Sequence, residues 1–94
     1  FGKMLEHNLA LLNNVAALVE LGVPVLLGPS RKRFIGEISQ KMLNYTPAPA
    51  DRLGGTIAAV LAGFHRGASI FRVHDVGPVI QALAVAKAIE TVRV

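Results

Sequence analysis

The chain has 94 residues, 52% of them hydrophobic, and ten Lys and Arg against six Asp and Glu give a formal net charge of +4. The absence of cysteine excludes disulfides and thiolate zinc sites and fits a reducing, cytoplasmic location, and no apolar run approaches the roughly 20 residues of a membrane helix. A domain of 94 residues is too small to bury this much apolar surface easily. We therefore expect the chain to be a segment of a larger domain.

The first third of the chain predicts one helix followed by a buried strand. Gly22 is expected to stop the helix in left-handed geometry. Residues 23–27 are apolar on both faces, which is typical of a parallel strand buried on both sides, and Pro24 is tolerable only near the start of such a strand. Residues 4–21 form the helix, with apolar side chains at three- and four-residue steps: Leu5, Leu9, Leu12, Ala16 and Val19.

A short helix and a loop are predicted next. Ser30 is a suitable N-cap for a helix over 31–41, because its hydroxyl can accept a hydrogen bond from a free backbone N–H group. Residues 42–50 contain two prolines alternating with alanine, which cannot propagate a helix. We therefore expect an irregular loop there.

A second helix is predicted over 50–66, beginning at Asp51 or upstream at Thr46. Gly67 is expected to end it. Glycines within a helix often mark close packing, and this one contains three: Gly54, Gly55 and Gly63.

The last part of the chain predicts a strand over 68–73 and a helix over 78–92 with Pro78 in its first turn. Strands thus alternate with helices, which indicates an α/β fold with a parallel sheet. Two parallel strands do not make a stable sheet alone. We therefore interpret residues 1–94 as the C-terminal third of a TIM (β/α)8 barrel, its last two strands with their helices, forming one segment of a single barrel domain.

Basic residues follow each predicted strand. Residues 30–33 read Ser-Arg-Lys-Arg, and residues 72–75 read Arg-Val-His-Asp. Because the carboxyl ends of barrel strands carry the chemistry, we expect the two clusters to converge on one anion.

Each cluster also has a plainer interpretation. Residues 30–33 form either an anion site at a helix start or a solvated basic turn. Arg72 and His74 share one face of a strand, where they bind an anion or a flat ring, or else form a strand-end ion pair with Asp75. His7 and His65 have no metal-ligand partner at useful spacing.

Several stretches resemble the dihydropteroate synthase family. They are FGK at 1–3, HN at 7–8, LLGPSRKRFIG at 26–36 and FRVHDV at 71–76. The resemblance covers essentially the whole chain. It implies a pterin-binding barrel that joins 4-aminobenzoate to dihydropterin pyrophosphate in folate biosynthesis, a magnesium-dependent transferase and sulfonamide target.

On the pterin side, the resemblance assigns three catalytic residues. Lys32 is expected to hydrogen-bond the pterin, and Arg72 to stack on its ring. Arg72 and His74 together are expected to hold the pyrophosphate.

On the aminobenzoate side, the resemblance places Phe1 at the border of the site. Ser30, Arg31 and Arg33 are candidates for the carboxylate, at the helix start after the strand. Gly28, in the same turn, belongs to the expected substrate-binding set.

The resemblance also carries expectations about partners. Mg²⁺ is expected with its ligands outside this segment, and the rest of the barrel lies upstream of residue 1, so the segment alone is predicted to be inactive. A homodimer through the last helices is expected, without nucleic acid or membrane. Two alternatives stay open: the pterin-binding domain of a corrinoid or folate methyltransferase, and a small basic nucleic-acid-binding module, which the scarcity of aromatic residues disfavours.

Overall fold

The computed structural model describes residues 5–22 and 24–92. Its strands and helices alternate as the sequence predicts, and a single 3-10 turn, Pro49–Asp51, precedes the fourth helix. In chain order the elements are α1 (Leu5–Asn13), α2 (Val15–Val19), β1 (Leu26–Leu27), α3 (Arg33–Leu43), α4 (Leu53–His65), β2 (Ile70–Phe71) and α5 (Val76–Thr91).

The two strands pair in parallel, with Leu26 opposite Ile70 and Leu27 opposite Phe71. Each is shorter than predicted, although hydrogen bonds to the Val25 and Leu27 carbonyls extend the pairing on both sides. The predicted burial of both faces of the first strand is wrong at Leu26, which is 58% exposed; Ile70 opposite it is 48% exposed. Leu27 and Phe71 lie against α4 at Gly63, and Leu26 and Ile70 lie on the other face of the sheet.

The single helix predicted over 4–21 is two helices, because Asn14 interrupts it. The Asn14 backbone has φ −104° and ψ 14°. The Ala10 carbonyl accepts both the Asn14 backbone N–H at 3.0 Å and the Asn14 side-chain amide at 2.7 Å. Gly22 follows α2 with φ 88°, which confirms the predicted left-handed stop.

Two predicted helix starts are wrong. Lys32, not Ser30, is the N-cap of α3, and it makes no capping hydrogen bond through its side chain. Likewise Arg52, rather than Asp51 or Thr46, precedes α4, because the chain first makes the 3-10 turn. Helix α3 continues to Leu43, two residues further than predicted.

Helix α4 is the central element and packs against α1, α3 and α5. A Cβ at Gly55 would stand 2.2 Å from Ile35 Cγ2, and one at Gly63 would stand 2.2 Å from Leu27 Cδ1. The expected close packing is therefore confirmed at these two glycines, whereas nothing described lies within 4 Å of a Cβ at Gly54. Gly67 ends the helix with φ 100°.

The apolar core lies where α3 and α4 meet α1. Phe34, Ile35 and Ala59 form its buried cluster, with Leu5 and Leu12 packed against it. Helix α5 begins two residues earlier than predicted, with Pro78 in its first turn as expected. No helix in the described ranges is long and apolar enough to cross a membrane.

Candidate functional site

The strand pairing brings the two basic clusters side by side. The Arg72 N–H group donates to the Leu27 carbonyl at 2.8 Å, directly after the two strands. A Cβ at Gly28 would stand 3.8 Å from the Arg72 Cβ, so these two positions are neighbours across the ladder. The turn after β1 and the turn after β2 therefore leave the sheet at the same edge.

Ser30 and His74 join these turns directly. Ser30 Oγ lies 2.7 Å from His74 Nδ1 and also accepts the His74 backbone N–H at 3.1 Å. In the imidazole tautomer with its proton on Nε2, Nδ1 accepts the Ser30 hydroxyl proton while the hydroxyl oxygen accepts the His74 backbone N–H. Ser30 is buried, at 7% exposure, whereas His74 is exposed.

A second link is the ion pair between Arg31 and Asp75. The Arg31 Nε and Nη2 atoms donate to the two Asp75 carboxylate oxygens at 3.3 and 3.1 Å. The interpretation of Asp75 as the partner of Arg72 or His74 in a strand-end ion pair is therefore wrong. Arg31 takes that role, across 44 positions of sequence.

The Arg31 peptide is itself held by two side chains from the start of α4. Its N–H donates to Thr56 Oγ1 at 2.9 Å, and its carbonyl accepts from Arg52 Nη1 at 2.9 Å. The sequence alone indicates neither Arg52 nor Thr56 as a site residue. Only the three-dimensional contact between the turn after β1 and the start of α4, 21 to 25 positions further along the chain, reveals them.

These contacts surround a cavity of about 440 Å³ at the edge of the sheet. Lys32 and Arg72 enter it, and within the described part of the chain neither side chain has a hydrogen-bond or ion-pair partner. The cavity is thus bordered by two unneutralised cations and one imidazole. Its lining is Leu26, Gly28, Ser30, Lys32, Arg72, Val73 and His74.

The remaining predicted site residues lie elsewhere. Arg33 pairs with Glu37 at 3.0 Å one turn along α3, its side chain is 83% exposed, and it does not line the cavity. The Arg31 charge is engaged by Asp75. Phe1 lies outside the described residues.

The arrangement fits anion binding rather than metal or nucleophilic chemistry. Lys32 supplies a point charge, and Arg72 supplies a planar fork that can both bond an oxyanion and lie against a ring. Within residues 5–22 and 24–92, no group of three or more His, Asp or Glu could hold a metal ion. The His65 imidazole contacts the Glu90 carboxylate.

Comparison with known proteins agrees with this geometry. A family model described as pterin binding enzyme matches residues 1–74, a range that includes Lys32, Arg72 and His74. The chain belongs to the pterin-binding enzyme family. Dihydropteroate synthase of Neisseria meningitidis serogroup B is 44% identical over 90 residues, which are 95% of this chain and 30% of that protein. The Escherichia coli K12 enzyme of the same name is 40% identical over 88 residues, 94% of this chain and 29% of that one.

Solved structures give the fold. Dihydropteroate synthase from Xanthomonas albilineans in complex with 7,8-dihydropteroate matches 96% of this chain and 32% of that chain, at TM-score 0.86 and 42% identity. The structure of dihydropteroate synthase from Stenotrophomonas maltophilia matches 100% of this chain and 34% of that chain, at TM-score 0.89 and 41% identity. The predicted portion of a TIM barrel is thereby confirmed. The chain spans about a third of the length of these relatives, and its C-terminal position in the domain stays a prediction.

Proposed function

We propose that this chain is a segment of a dihydropteroate synthase. The whole enzyme would condense 4-aminobenzoate with dihydropterin pyrophosphate, giving dihydropteroate and pyrophosphate in folate biosynthesis. The observation that carries the proposal is the placement of Lys32, Arg72 and the Ser30-bound His74 around one cavity. Relatives solved with 4-aminobenzoate and with 6HMPPP, both from Thermus thermophilus and 47% identical to this chain, support it.

The chemistry of the reaction matches these side chains. Negative charge develops on the departing pyrophosphate, so the barrier falls when preorganised donors stabilise that charge. Arg72 would donate to the pyrophosphate oxygens, and His74, in the tautomer whose Nδ1 accepts from Ser30, would add its Nε2 proton. The amine of 4-aminobenzoate is a nucleophile without activation, so the reaction needs no triad.

Lys32 would act on the pterin end of the same substrate. Its position at the start of α3 lets its ammonium group donate to the ring, while the Arg72 guanidinium lies against the ring face and contacts the pyrophosphate. Substrate contacts of Phe1, Gly28, Ser30, Arg31 and Arg33 stay predictions. Among the three carboxylate candidates, Arg31 and Arg33 already have carboxylate partners within the chain.

Three further expectations stay proposals. Mg²⁺ is proposed as the cofactor from the resemblance, with its ligands outside this segment. A homodimer is proposed through α4 and α5, which border an apolar groove lined by residues such as Leu61, Val85 and Ile89. A cytoplasmic location and the role of sulfonamide target are proposed from the resemblance, and the absence of cysteine fits the location.

The test uses the whole-barrel protein, meaning this chain joined to the rest of its barrel. Its own full-length protein serves, or a chimera in which the chain replaces the matching third of the E. coli enzyme. Release of pyrophosphate is measured with dihydropterin pyrophosphate and 4-aminobenzoate, together and singly. We expect release that requires both substrates.

The alternatives give different results in the same experiment. A methyltransferase pterin domain would bind a methylated folate and show no pyrophosphate release. A basic nucleic-acid-binding module would bind oligonucleotides with strong salt dependence and ignore both substrates. Either pattern would contradict the proposed function.

A further inference from the structure

Arg31 adopts a backbone conformation that residues other than glycine rarely take. Its φ is 58°, in the left-handed region. Such a conformation costs free energy and persists where the surrounding structure holds it in place. Lys32 follows directly in the chain, so the orientation of the Arg31 peptide determines the direction in which Lys32 leaves the turn.

Two side chains that do not line the cavity hold the backbone of Arg31. Thr56 accepts the Arg31 N–H and Arg52 donates to the Arg31 carbonyl, each at 2.9 Å. Both backbone groups of Arg31 are therefore satisfied by side chains rather than by a helix or strand. Thr56 is 0% exposed, so water cannot substitute for its hydroxyl.

Arg52 is fixed in turn by its own surroundings. Its Nε donates to the Pro47 carbonyl at 2.9 Å. Its guanidinium lies against Gly36, where a Cβ would stand 3.0 Å from Nη2. Gly36 is buried, and the absence of a side chain there makes room for the guanidinium.

We propose that Arg52 and Thr56 are positioning residues for the anion site, a role that rests on the proposed function. They hold Arg31 in its left-handed conformation, which directs Lys32 into the cavity and aligns Arg31 with Asp75 beside His74. Neither residue lines the cavity. Their effect on the ligand therefore passes through the turn that contains Lys32.

The central variant is Thr56→Val, which removes the acceptor at nearly constant volume. Thr56→Ser, which keeps the hydroxyl, is its matched control, and both are made in the whole-barrel protein. We expect Thr56→Val to lower kcat/KM for dihydropterin pyrophosphate about tenfold, the effect of one lost buried hydrogen bond. Thr56→Ser is expected to keep a kcat/KM close to that of the parent, meaning the whole-barrel protein without a substitution. Affinity for inorganic pyrophosphate, measured by calorimetry, follows the same order.

A second control separates positioning from stability. Val60, on the same helix, is 1% exposed, and Val60→Ala removes core packing without removing a hydrogen-bond acceptor. We expect Val60→Ala to lower Tm while kinetics and pyrophosphate affinity, measured well below Tm, stay at the parent level. If Val60→Ala and Thr56→Val lose activity in proportion to Tm, the positioning role is overturned.

Chemical rescue tests Arg52. Arg52→Ala leaves a space shaped for a guanidinium group between Gly36 and two carbonyls, so millimolar guanidinium ion should restore part of the lost kcat/KM. The same ion should not restore Thr56→Val. An Arg52→Ala variant with parent kinetics overturns the proposal for this residue.

The outcomes also separate this proposal from the proposed function. A parent protein that binds pyrophosphate in a Thr56-dependent way but shows no turnover contradicts the reaction and supports the positioning role. A parent with full turnover and an unaffected Thr56→Val variant contradicts the positioning role alone. A parent that neither turns over the substrates nor binds pyrophosphate overturns both.

Discussion

Ser30 and His74, 44 positions apart in the sequence, share two hydrogen bonds that join the turns after β1 and β2. Both bonds use the Ser30 hydroxyl oxygen, and on His74 they involve the imidazole Nδ1 and the backbone N–H group. Ring orientation and backbone position are thus fixed together. Because the contact faces away from the Nε2 atom, that nitrogen is left for a ligand in the cavity.

Ser30→Ala tests this relationship. The substitution removes both hydrogen bonds, so the imidazole loses its fixed orientation and the His74 N–H loses its acceptor. We expect kcat of the whole-barrel protein to fall about tenfold, the usual effect of one or two lost hydrogen bonds. Steady-state kinetics of pyrophosphate release measure it.

Ser39→Ala is the matched control for that experiment. Ser39 also makes a short side-chain hydrogen bond, to the Ile35 carbonyl at 2.7 Å, but it lies within α3 and does not line the cavity. We expect parent kinetics from this variant. Equal losses in the two serine variants would contradict a specific role of Ser30.

The cations of the cavity give a second prediction. Lys32→Ala and Arg72→Ala each remove a charge that has no partner among the described residues, so a ligand loses the whole interaction. We expect turnover to be essentially abolished, with a loss of about 100- to 1,000-fold, the usual effect of removing one donor that stabilises developing negative charge. Pyrophosphate release under saturating substrates is the measurement.

Arg33→Ala provides the comparison within the same basic cluster. Its side chain is 83% exposed, and its partner is Glu37 on the same helix. The variant removes one positive charge from the chain without touching the cavity. Near-parent rates are expected here, and near-parent rates in Lys32→Ala or Arg72→Ala would refute the site.

The fold was predictable where local chemistry determines it. Alternation of apolar runs with helical periodicity predicts the order of elements and the helix stops at Gly22 and Gly67, both of which have a positive φ. The sequence does not predict the break at Asn14, because a side-chain amide that bonds the Ala10 carbonyl leaves the apolar pattern unchanged. Strand lengths were overestimated because hydrophobicity does not show where pairing ends.

The site was predictable only in part. The sequence indicates that the two strands are parallel neighbours. It follows that the residues after them, Lys32, Arg72 and His74, lie at one edge of the sheet. The partners of Ser30 and Arg31 do not follow, because a hydroxyl can cap a helix or contact an imidazole with equal local plausibility. Tertiary contact across 44 positions decides between them.

The Arg31–Asp75 ion pair should contribute more to stability than Arg33–Glu37. Its side chains are 30% and 26% exposed, against 83% and 34% for the other pair, so water screens it less. It also joins two distant turns through two hydrogen bonds. We expect Asp75→Asn to lower the free energy of unfolding by about 1 kcal/mol and Glu37→Gln by less than about 0.5 kcal/mol.

Denaturant unfolding at low and high salt measures this difference. Salt weakens exposed ion pairs most, so the small effect of Glu37→Gln should vanish in concentrated salt while that of Asp75→Asn persists in part. Equal effects of both substitutions at every salt concentration would contradict the argument from burial.

Two adjacent glycines of α4 should respond oppositely to alanine. At Gly55 the added Cβ would stand 2.2 Å from Ile35 Cγ2, and Ile35 is 4% exposed within the core, so its branched side chain has little room to turn. We expect Gly55→Ala to destabilise the whole-barrel protein by about 1–3 kcal/mol through overpacking. At Gly54 nothing described lies within 4 Å, and alanine is the better helix former by about 1 kcal/mol, so Gly54→Ala should be neutral or stabilising. Thermal and denaturant unfolding of the two variants beside the parent measure the contrast. A stabilising Gly55→Ala would mean that α3 and α4 are not in contact at Ile35.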